Sequence, residues 1–161
     1  MKKITALVLC ILLVASMLTG CFSGTKEFTC QDLTITVPVL MKDVSSKSDL
    51  SSFTFALDSS KIAIFGLKED FSSIPNGADM GVMAYANAVI KANGTKAMAI
   101  SRSNHDYVYF TYQSETTEGT FEYVAGCFKG EDAFWLVQIS SRTADFALET
   151  FLGYLDTVKV G

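Results

Sequence analysis

Short runs in which apolar and polar residues alternate, joined by connections of hairpin length, recur along most of this chain. In the run 33–38, LTITVP, apolar residues alternate with threonine, which is the two-residue period of a β-strand. The runs 53–57 and 61–67 flank the turn sequence DSSK in a similar way. Connections this short join antiparallel strands, because parallel strands need a crossover of about a dozen residues or more. The pattern therefore predicts a mainly antiparallel sheet.

Two segments have helical periodicity instead. Residues 80–93, MGVMAYANAVIKAN, are followed by Gly94, a residue type that commonly ends helices. Residues 144–156 place Leu148, Phe151 and Leu155 on one stripe. Four strand-like runs lie between the helices and a short one follows at 158–160. The order ββ-ββ-α-ββββ-α-β predicts an α+β domain, with a central antiparallel sheet flanked by helices.

The N-terminus has the layout of an export signal. Lys2 and Lys3 precede a mostly apolar run, 4–18, which is too short to span a membrane. Two small residues then precede Cys21, and the sequence LTGC resembles the lipobox of bacterial lipoproteins. In that family the cysteine takes a diacylglyceryl group, the signal is cut before it, and the new N-terminus can take a further acyl chain such as palmitate.

This resemblance implies a signal peptide at 1–20, a lipid-anchored tether at 21–26 and a single domain at 27–161. Two or more acyl chains anchor a protein stably, whereas one chain binds weakly. We therefore expect a protein held at a cell membrane by lipid and facing outside the cytoplasm. The alternative is a secreted protein whose signal happens to end near a cysteine.

Charge excludes some partners. Because Lys2 and Lys3 belong to the signal, residues 21–161 hold 11 basic and 17 acidic residues, a formal charge of −6. Nucleic-acid binding relies on Lys and Arg to neutralise phosphates, so a nucleic-acid partner is not expected. The same balance argues against a basic face that docks on anionic lipid.

Two further cysteines, Cys30 and Cys127, follow the predicted anchor. An oxidising compartment would permit a bridge between them. The alternative is two separate buried thiols, each packed as a small apolar side chain. Both interpretations fit the sequence, because it does not show whether the two strand-like segments lie side by side.

A family resemblance emerges from the order of these elements. The phrases DLTITVP, MGVMAYANAVIKANG, FKGEDAFWLVQIS and FALETFLGYLDTVKV together resemble the PsbP-like superfamily, which includes DcrB-like bacterial lipoproteins. The resemblance covers residues 27–160 and implies an α/β/α sandwich. It favours binding and assembly over catalysis, implies no cofactor, and carries no site residue over to this chain.

Catalytic signatures are weak. His105 is the one histidine, and its neighbour Asp106 would point to the opposite face of a strand. A general base needs a nucleophile and an orienting group, so a solvated turn histidine is the simpler interpretation. Glu115, Glu118 and Glu122 surround a hairpin tip without the spacing of a calcium loop, so no metal site is predicted.

Four residues are candidates for partner contact. Met80, Met83 and Tyr85 lie on the helix 80–93, whose circumference is mostly apolar or small. Such a helix is either covered on more than one side or offers an exposed apolar groove to a partner or lipid. Trp135 lies beside Phe134 in a strand-like run, so one of the pair is expected to face the core and the other a partner.

These features together predict a non-enzymatic binding or assembly protein of a bacterial cell envelope, anchored through Cys21, with an envelope protein as its partner. Two alternatives remain open. One is a hydrolase of envelope substrates that uses His105 or surface carboxylates. The other is a structural chaperone of an envelope complex.

Overall fold

The computed structural model of the chain describes residues 24–161. The predicted signal peptide and Cys21 therefore lie outside the described residues. The first strand begins at Thr25, so the last two residues of the predicted tether belong to the folded domain.

The described chain contains ten strands and two α-helices. In chain order they are β1 Thr25–Cys30, β2 Leu33–Pro38, β3 Lys42–Asp43, β4 Phe55–Asp58, β5 Ile62–Asp70, α1 Val82–Ala92, β6 Ile100–Ser101, β7 Val108–Thr116, β8 Gly119–Lys129, β9 Ala133–Arg142, α2 Leu148–Leu155 and β10 Lys159–Val160.

The strands form two sheets rather than the single sheet that the sequence predicts. The smaller sheet has the order β1-β2-β10, and the larger has the order β3-β4-β5-β9-β8-β7-β6. Every strand pair in the described chain is antiparallel. The α+β class and the mainly antiparallel arrangement are therefore confirmed.

A first core fills the space between the two sheets and α2. Leu33, Ile35 and Val37 of β2 are fully buried, because they lie against the larger sheet. Phe151 and Leu152 of α2 pack into the same cluster. Burying each such side chain contributes about 1.5–3 kcal/mol, so this cluster is a main source of stability.

A second core lies on the opposite face of the larger sheet. There α1 packs through Tyr85, Ala86, Val89 and Ile90 against buried side chains of β7, β8 and β9. At the other end of this face, the segment 44–53 covers Phe65 and its neighbours on β4 and β5. The helices thus lie on opposite faces of the larger sheet.

The first core depends on a position without a side chain. Gly66 on β5 pairs with Phe55 on β4, and the Phe55 ring lies over the glycine. A Cβ added to Gly66 would come 2.0 Å from Cε1 of that ring. Phe55 in turn contacts the rings of Phe28 and Trp135, with centroids 5.1 and 6.2 Å away.

Replacing Gly66 with Ala should lower the free energy of unfolding by about 1–3 kcal/mol, because the Phe55 ring must move out of a filled core. Urea denaturation measures this change. Gly153→Ala is the matched control, since Gly153 lies in α2 with open space around it. The control should gain about 0.5–1 kcal/mol from helix propensity. Equal stability of the two variants would contradict the packing role of Gly66.

Candidate interaction surface

Burial corrects the set of predicted partner-contact residues. Tyr85 is 3% exposed, stacks on Phe134 at a centroid distance of 4.2 Å and donates a hydrogen bond to Glu69. Trp135 is fully buried, as is Phe134. Both of these β9 residues face a core, because β9 lies inside the larger sheet and that sheet is covered on both faces. Tyr85 and Trp135 are therefore unavailable to a partner.

The methionines of the α1 region are more accessible. Met83 is 37% exposed, and Met80, which precedes the helix, is half-buried. Asn87 and Lys91 share the outer face of α1 with Met83. Of the two interpretations of this helix, coverage on more than one side is wrong, because Met83, Asn87 and Lys91 on its outer face are exposed.

Two larger exposed apolar residues lie just after α1 and were missed by the sequence analysis. Met98 is 75% exposed and Ile100 is 44% exposed, whereas Ala97 and Ala99, which alternate with them, pack against the second core. Residues 97–100 do alternate between inward and outward positions, as in a strand. Here, however, the small alanines face the core and the larger apolar side chains face outward. The alternation of alanine with larger apolar residues was the one sequence signal that could have indicated the exposure of Met98 and Ile100.

The short strand β6 leaves most of β7 without an outer neighbour. Ile100 and Ser101 pair with Tyr109 and Val108, and the chain before Ile100 leaves the sheet. The hairpin pair Thr116–Gly119 flanks a two-residue loop, so it is the first hydrogen-bonded pair of the ladder with β8.

Hydrogen bonding alternates along β7, so Thr111, Gln113 and Glu115 direct their backbone N–H and C=O groups away from β8. Residues 24–161 provide no hydrogen-bond partner for these outward groups. We call this row of groups the open edge of β7.

A cleft of about 400 Å³ adjoins the open edge. It lies between the segment 94–97, which follows α1, and the strand residues Thr111, Tyr112 and Gln113. Gly94 follows α1 in the left-handed conformation, with φ of 63°, and the chain then runs beside β7 without pairing with it until Ile100. The hydroxyl of Thr95, one of the lining residues, is buried and has no hydrogen-bond partner within the described chain.

This geometry suits the addition of a strand. An extended peptide would pair with the outward groups of β7, while the cleft would receive one of its side chains and offer the Thr95 hydroxyl as a partner. The exposed side chains of Met98 and Ile100 stand beside this position. The cleft is lined by Gly94, Thr95, Lys96, Ala97, Thr111, Tyr112 and Gln113, and so contains no carboxylate, imidazole or thiol.

His105 lies elsewhere, at the turn between β6 and β7. Its Nε2 is 3.5 Å from Oδ1 of Asp156, at the end of α2, and its ring meets that of Tyr107 edge-on. The Asp156 carboxylate also accepts two hydrogen bonds from Arg102, at 2.9 and 3.1 Å, and one from the Tyr107 hydroxyl at 2.7 Å.

The acid beside His105 is therefore Asp156 and not its sequence neighbour. The Asp156 side chain is only 20% exposed, because it lies against Arg102 and Tyr107 and accepts their hydrogen bonds. This carboxylate fastens the β6–β7 turn to α2, which is a structural role and does not require catalysis.

The hydrogen bonds from Arg102 hold the pKa of Asp156 below its usual range. Because the folded-state pKa is lowered, the ionised carboxylate stabilises the fold above about pH 4, and this contribution is lost as the pH falls through the lowered value.

Asp156→Asn should therefore lower the free energy of unfolding by about 1–3 kcal/mol near neutral pH. The difference from the wild type should shrink on acidification, as urea denaturation across that range will measure. Asp106→Asn, at an exposed position beside His105, should change stability by less than about 0.5 kcal/mol. A difference that stays constant with pH would refute the electrostatic role of Asp156.

The cysteines are free thiols in separate cores. Cys30 contacts the first core and Cys127 lies fully buried in the second, on the other face of the larger sheet. Burial raises the pKa of both thiols; for Cys30 the carboxylates of Asp43 and Asp32 add to the effect. Of the two interpretations of the sequence, the structure thus favours separate thiols over a bridge.

The acidic residues of the hairpin tip do not converge. Glu115 is exposed on the outside of β7, and Glu118 lies in the turn that leads to β8. Within residues 24–161, no group of three or more His, Cys, Asp or Glu side chains is placed to hold a metal ion. No helix in that range is long and apolar enough to cross a membrane.

Comparison with known proteins supports the fold. No protein-family model and no curated protein matches the chain. The solution structure of a cyanobacterial PsbP (CyanoP) from Synechocystis sp. PCC 6803 is similar, with a TM-score of 0.56 and 11% identity over 92% of this chain and 99% of that one.

A crystal structure from Bacteroides thetaiotaomicron VPI-5482 is similar at a TM-score of 0.57 and 10% identity, over 84% of this chain. The match spans about half of that longer protein, 48% of its chain. Identities this low show a shared fold alone. The chain therefore has the PsbP-like α+β fold that its sequence phrases predict.

Proposed function

We propose that this chain is a lipid-anchored, extracytoplasmic binding protein of a bacterial envelope, and that it binds an extended segment of a partner protein as an added strand on β7. The observation that carries this proposal is the open edge of β7 beside an accessible cleft. The proposed role is binding or assembly, without catalysis.

The open edge has enough hydrogen-bonding capacity for specific binding. Thr111, Gln113 and Glu115 each present an N–H and a C=O to an incoming strand. Each such bond contributes about 0.5–1.5 kcal/mol net, so a bound segment gains several kcal/mol before any side chain is buried. A side chain in the cleft would add apolar contact and would set which segment is accepted.

Other strand edges are less suited to this role. At the opposite end of the larger sheet, β3 is only two residues long, and short edge strands resist pairing. In the smaller sheet β1 is an edge strand, but it carries the charged residues Lys26 and Glu27 and begins four residues after Cys21. The edge of β7 combines length with an adjoining cleft.

The hydrolase alternative has less support. His105 is 36% exposed and contacts the side chains of Asp156 and Tyr107, which already form a hydrogen bond with each other. The cleft near β7 is lined by no carboxylate, imidazole or thiol, and His105 does not line it.

Lipid attachment at Cys21 explains how the domain would be retained in the envelope. The lipobox sequence LTGC and the short distance in sequence from Cys21 to the first strand support it. Replacing Cys21 with Ala should abolish incorporation of labelled palmitate and leave the precursor uncleaved. Replacing Cys30 with Ala, a cysteine inside the domain, should leave both intact. Palmitate labelling that survives Cys21→Ala would refute the anchor.

A backbone substitution tests the strand-addition site. Gln113→Pro removes one outward N–H from β7 and no hydrogen bond to β8, because proline is tolerated where an edge strand faces solvent. Gln113→Ala keeps that N–H and is the matched control. With a photo-crosslinking residue at Met98, the proline variant should lose the adducts that form in cells, whereas the alanine variant retains them.

Thermal unfolding of both variants must show that the domain remains folded. Adducts that persist unchanged in a folded Gln113→Pro variant would contradict strand addition at β7. Adducts lost equally in both variants would assign recognition to the Gln113 side chain instead of the backbone.

A further inference from the structure

The turn that follows β2 has an unusual composition. Residues 38–41 form a β-turn, closed by a 3.0 Å hydrogen bond from the Met41 N–H to the Pro38 carbonyl. Its two central residues are Val39 and Leu40, which are 40% and 53% exposed. Gly, Asn, Asp and Ser dominate such positions, because turns usually face water. Here the two most exposed positions of a tight turn are apolar.

Hydrogen bonds join this turn to Gly24 and Lys26, at the start of the described chain. The Val39 N–H donates to the Gly24 carbonyl at 2.9 Å, and Lys26 Nζ donates to the Met41 carbonyl at 2.5 Å. Met41 itself is 1% exposed and packs in the first core. The backbone is thus fixed from both sides, while the side chains of Val39 and Leu40 take no part in fixing it.

Chain length limits how far the turn can be from the anchor. Gly24 is three residues after Cys21, and an extended chain spans at most about 3.6 Å per residue, so the two α-carbons are within about 11 Å of each other. A cysteine bearing acyl chains lies at the membrane surface. The hydrogen bond between Gly24 and Val39 therefore keeps the turn at the same surface.

From these constraints we propose that the Val39–Leu40 turn inserts into the lipid interface beside the anchor. This inference rests on the proposed lipid attachment at Cys21. Apolar side chains of peripheral proteins reach about 5–10 Å into the boundary between headgroups and acyl chains, a depth that side chains at a turn tip can reach. Lys42, which is exposed next to the turn, lies where a lysine can extend to the headgroups.

Insertion at this turn would set the orientation of the domain. The opposite end of the smaller sheet carries Lys159 of β10, which pairs with Thr34 near the start of β2. From Thr34 to Leu40 the chain covers about 15–20 Å at roughly 3.4 Å per residue. The Lys159 end therefore points away from the lipid.

Tryptophan fluorescence tests the proposal. The chain has one tryptophan, Trp135, which is fully buried and serves as an internal background. Lipidated full-length protein carrying Leu40→Trp is reconstituted into phosphatidylcholine–phosphatidylglycerol vesicles, with and without brominated acyl chains. Lys159→Trp is the matched control, because it places an exposed tryptophan at the far end of the same sheet.

The expected result is a loss of emission with brominated lipid for Leu40→Trp and no loss for Lys159→Trp. Adding Val39→Asp to Leu40→Trp should abolish that loss, because a carboxylate opposes insertion, while palmitate labelling stays normal. No quenching of Leu40→Trp in a protein that still labels with palmitate and floats with the vesicles would overturn the insertion and leave the anchor standing.

The remaining outcomes are also decisive. Equal quenching of both variants would overturn the orientation, because the whole sheet would then lie along the membrane. Shielding of Leu40→Trp from acrylamide without quenching by brominated lipid would assign the turn to a protein contact and overturn the proposal. Wild-type protein that neither takes palmitate nor floats with vesicles would refute the anchor itself.

Discussion

The fold depends on burial of both faces of β9. This strand lies inside the larger sheet, between β5 and β8, and its neighbouring residues Phe134 and Trp135 face opposite cores. Two separate layers must therefore cover the sheet: α1 on one side, and α2 with the smaller sheet on the other. The strands at the ends of the larger sheet are less constrained, and there the structure leaves backbone groups unpaired. The buried centre of the sheet and the open edge of β7 thus follow from the same arrangement of strands.

The sequence predicted those features that depend on nearby residues. The alternation in β2 and the helical periodicity of α1 identified the elements, and Gly94 marked the end of the helix with the left-handed conformation expected there. Helix starts were less accurate. The second helix begins at Leu148 rather than Ala144, because Thr143–Asp145 forms a separate 3₁₀ turn. Such turns share local propensities with α-helices.

Features that depend on distant residues were not predictable. Alternation shows that one face of β2 is apolar, but not that this face packs on a second sheet. The bonds from Arg102 to Asp156 join residues 54 positions apart, and no local pattern indicates them. The accessible methionine Met98 was missed for a similar reason, since its exposure follows from where the chain leaves the sheet after α1. The open edge of β7 and its cleft are like these cases, because they depend on the topology of the sheet rather than on composition.

The unpaired thiols have a consequence for where the domain can fold. Since Cys30 and Cys127 lie in separate cores without a covalent link, the folded part that the structure describes, residues 24–161, has no disulfide to form or lose. Its stability is therefore independent of the redox potential of its surroundings. The raised thiol pKa values leave little thiolate, so oxidants and glutathione have little to react with. The domain can reach the same structure in a reducing compartment or an oxidising one, without help from an oxidoreductase.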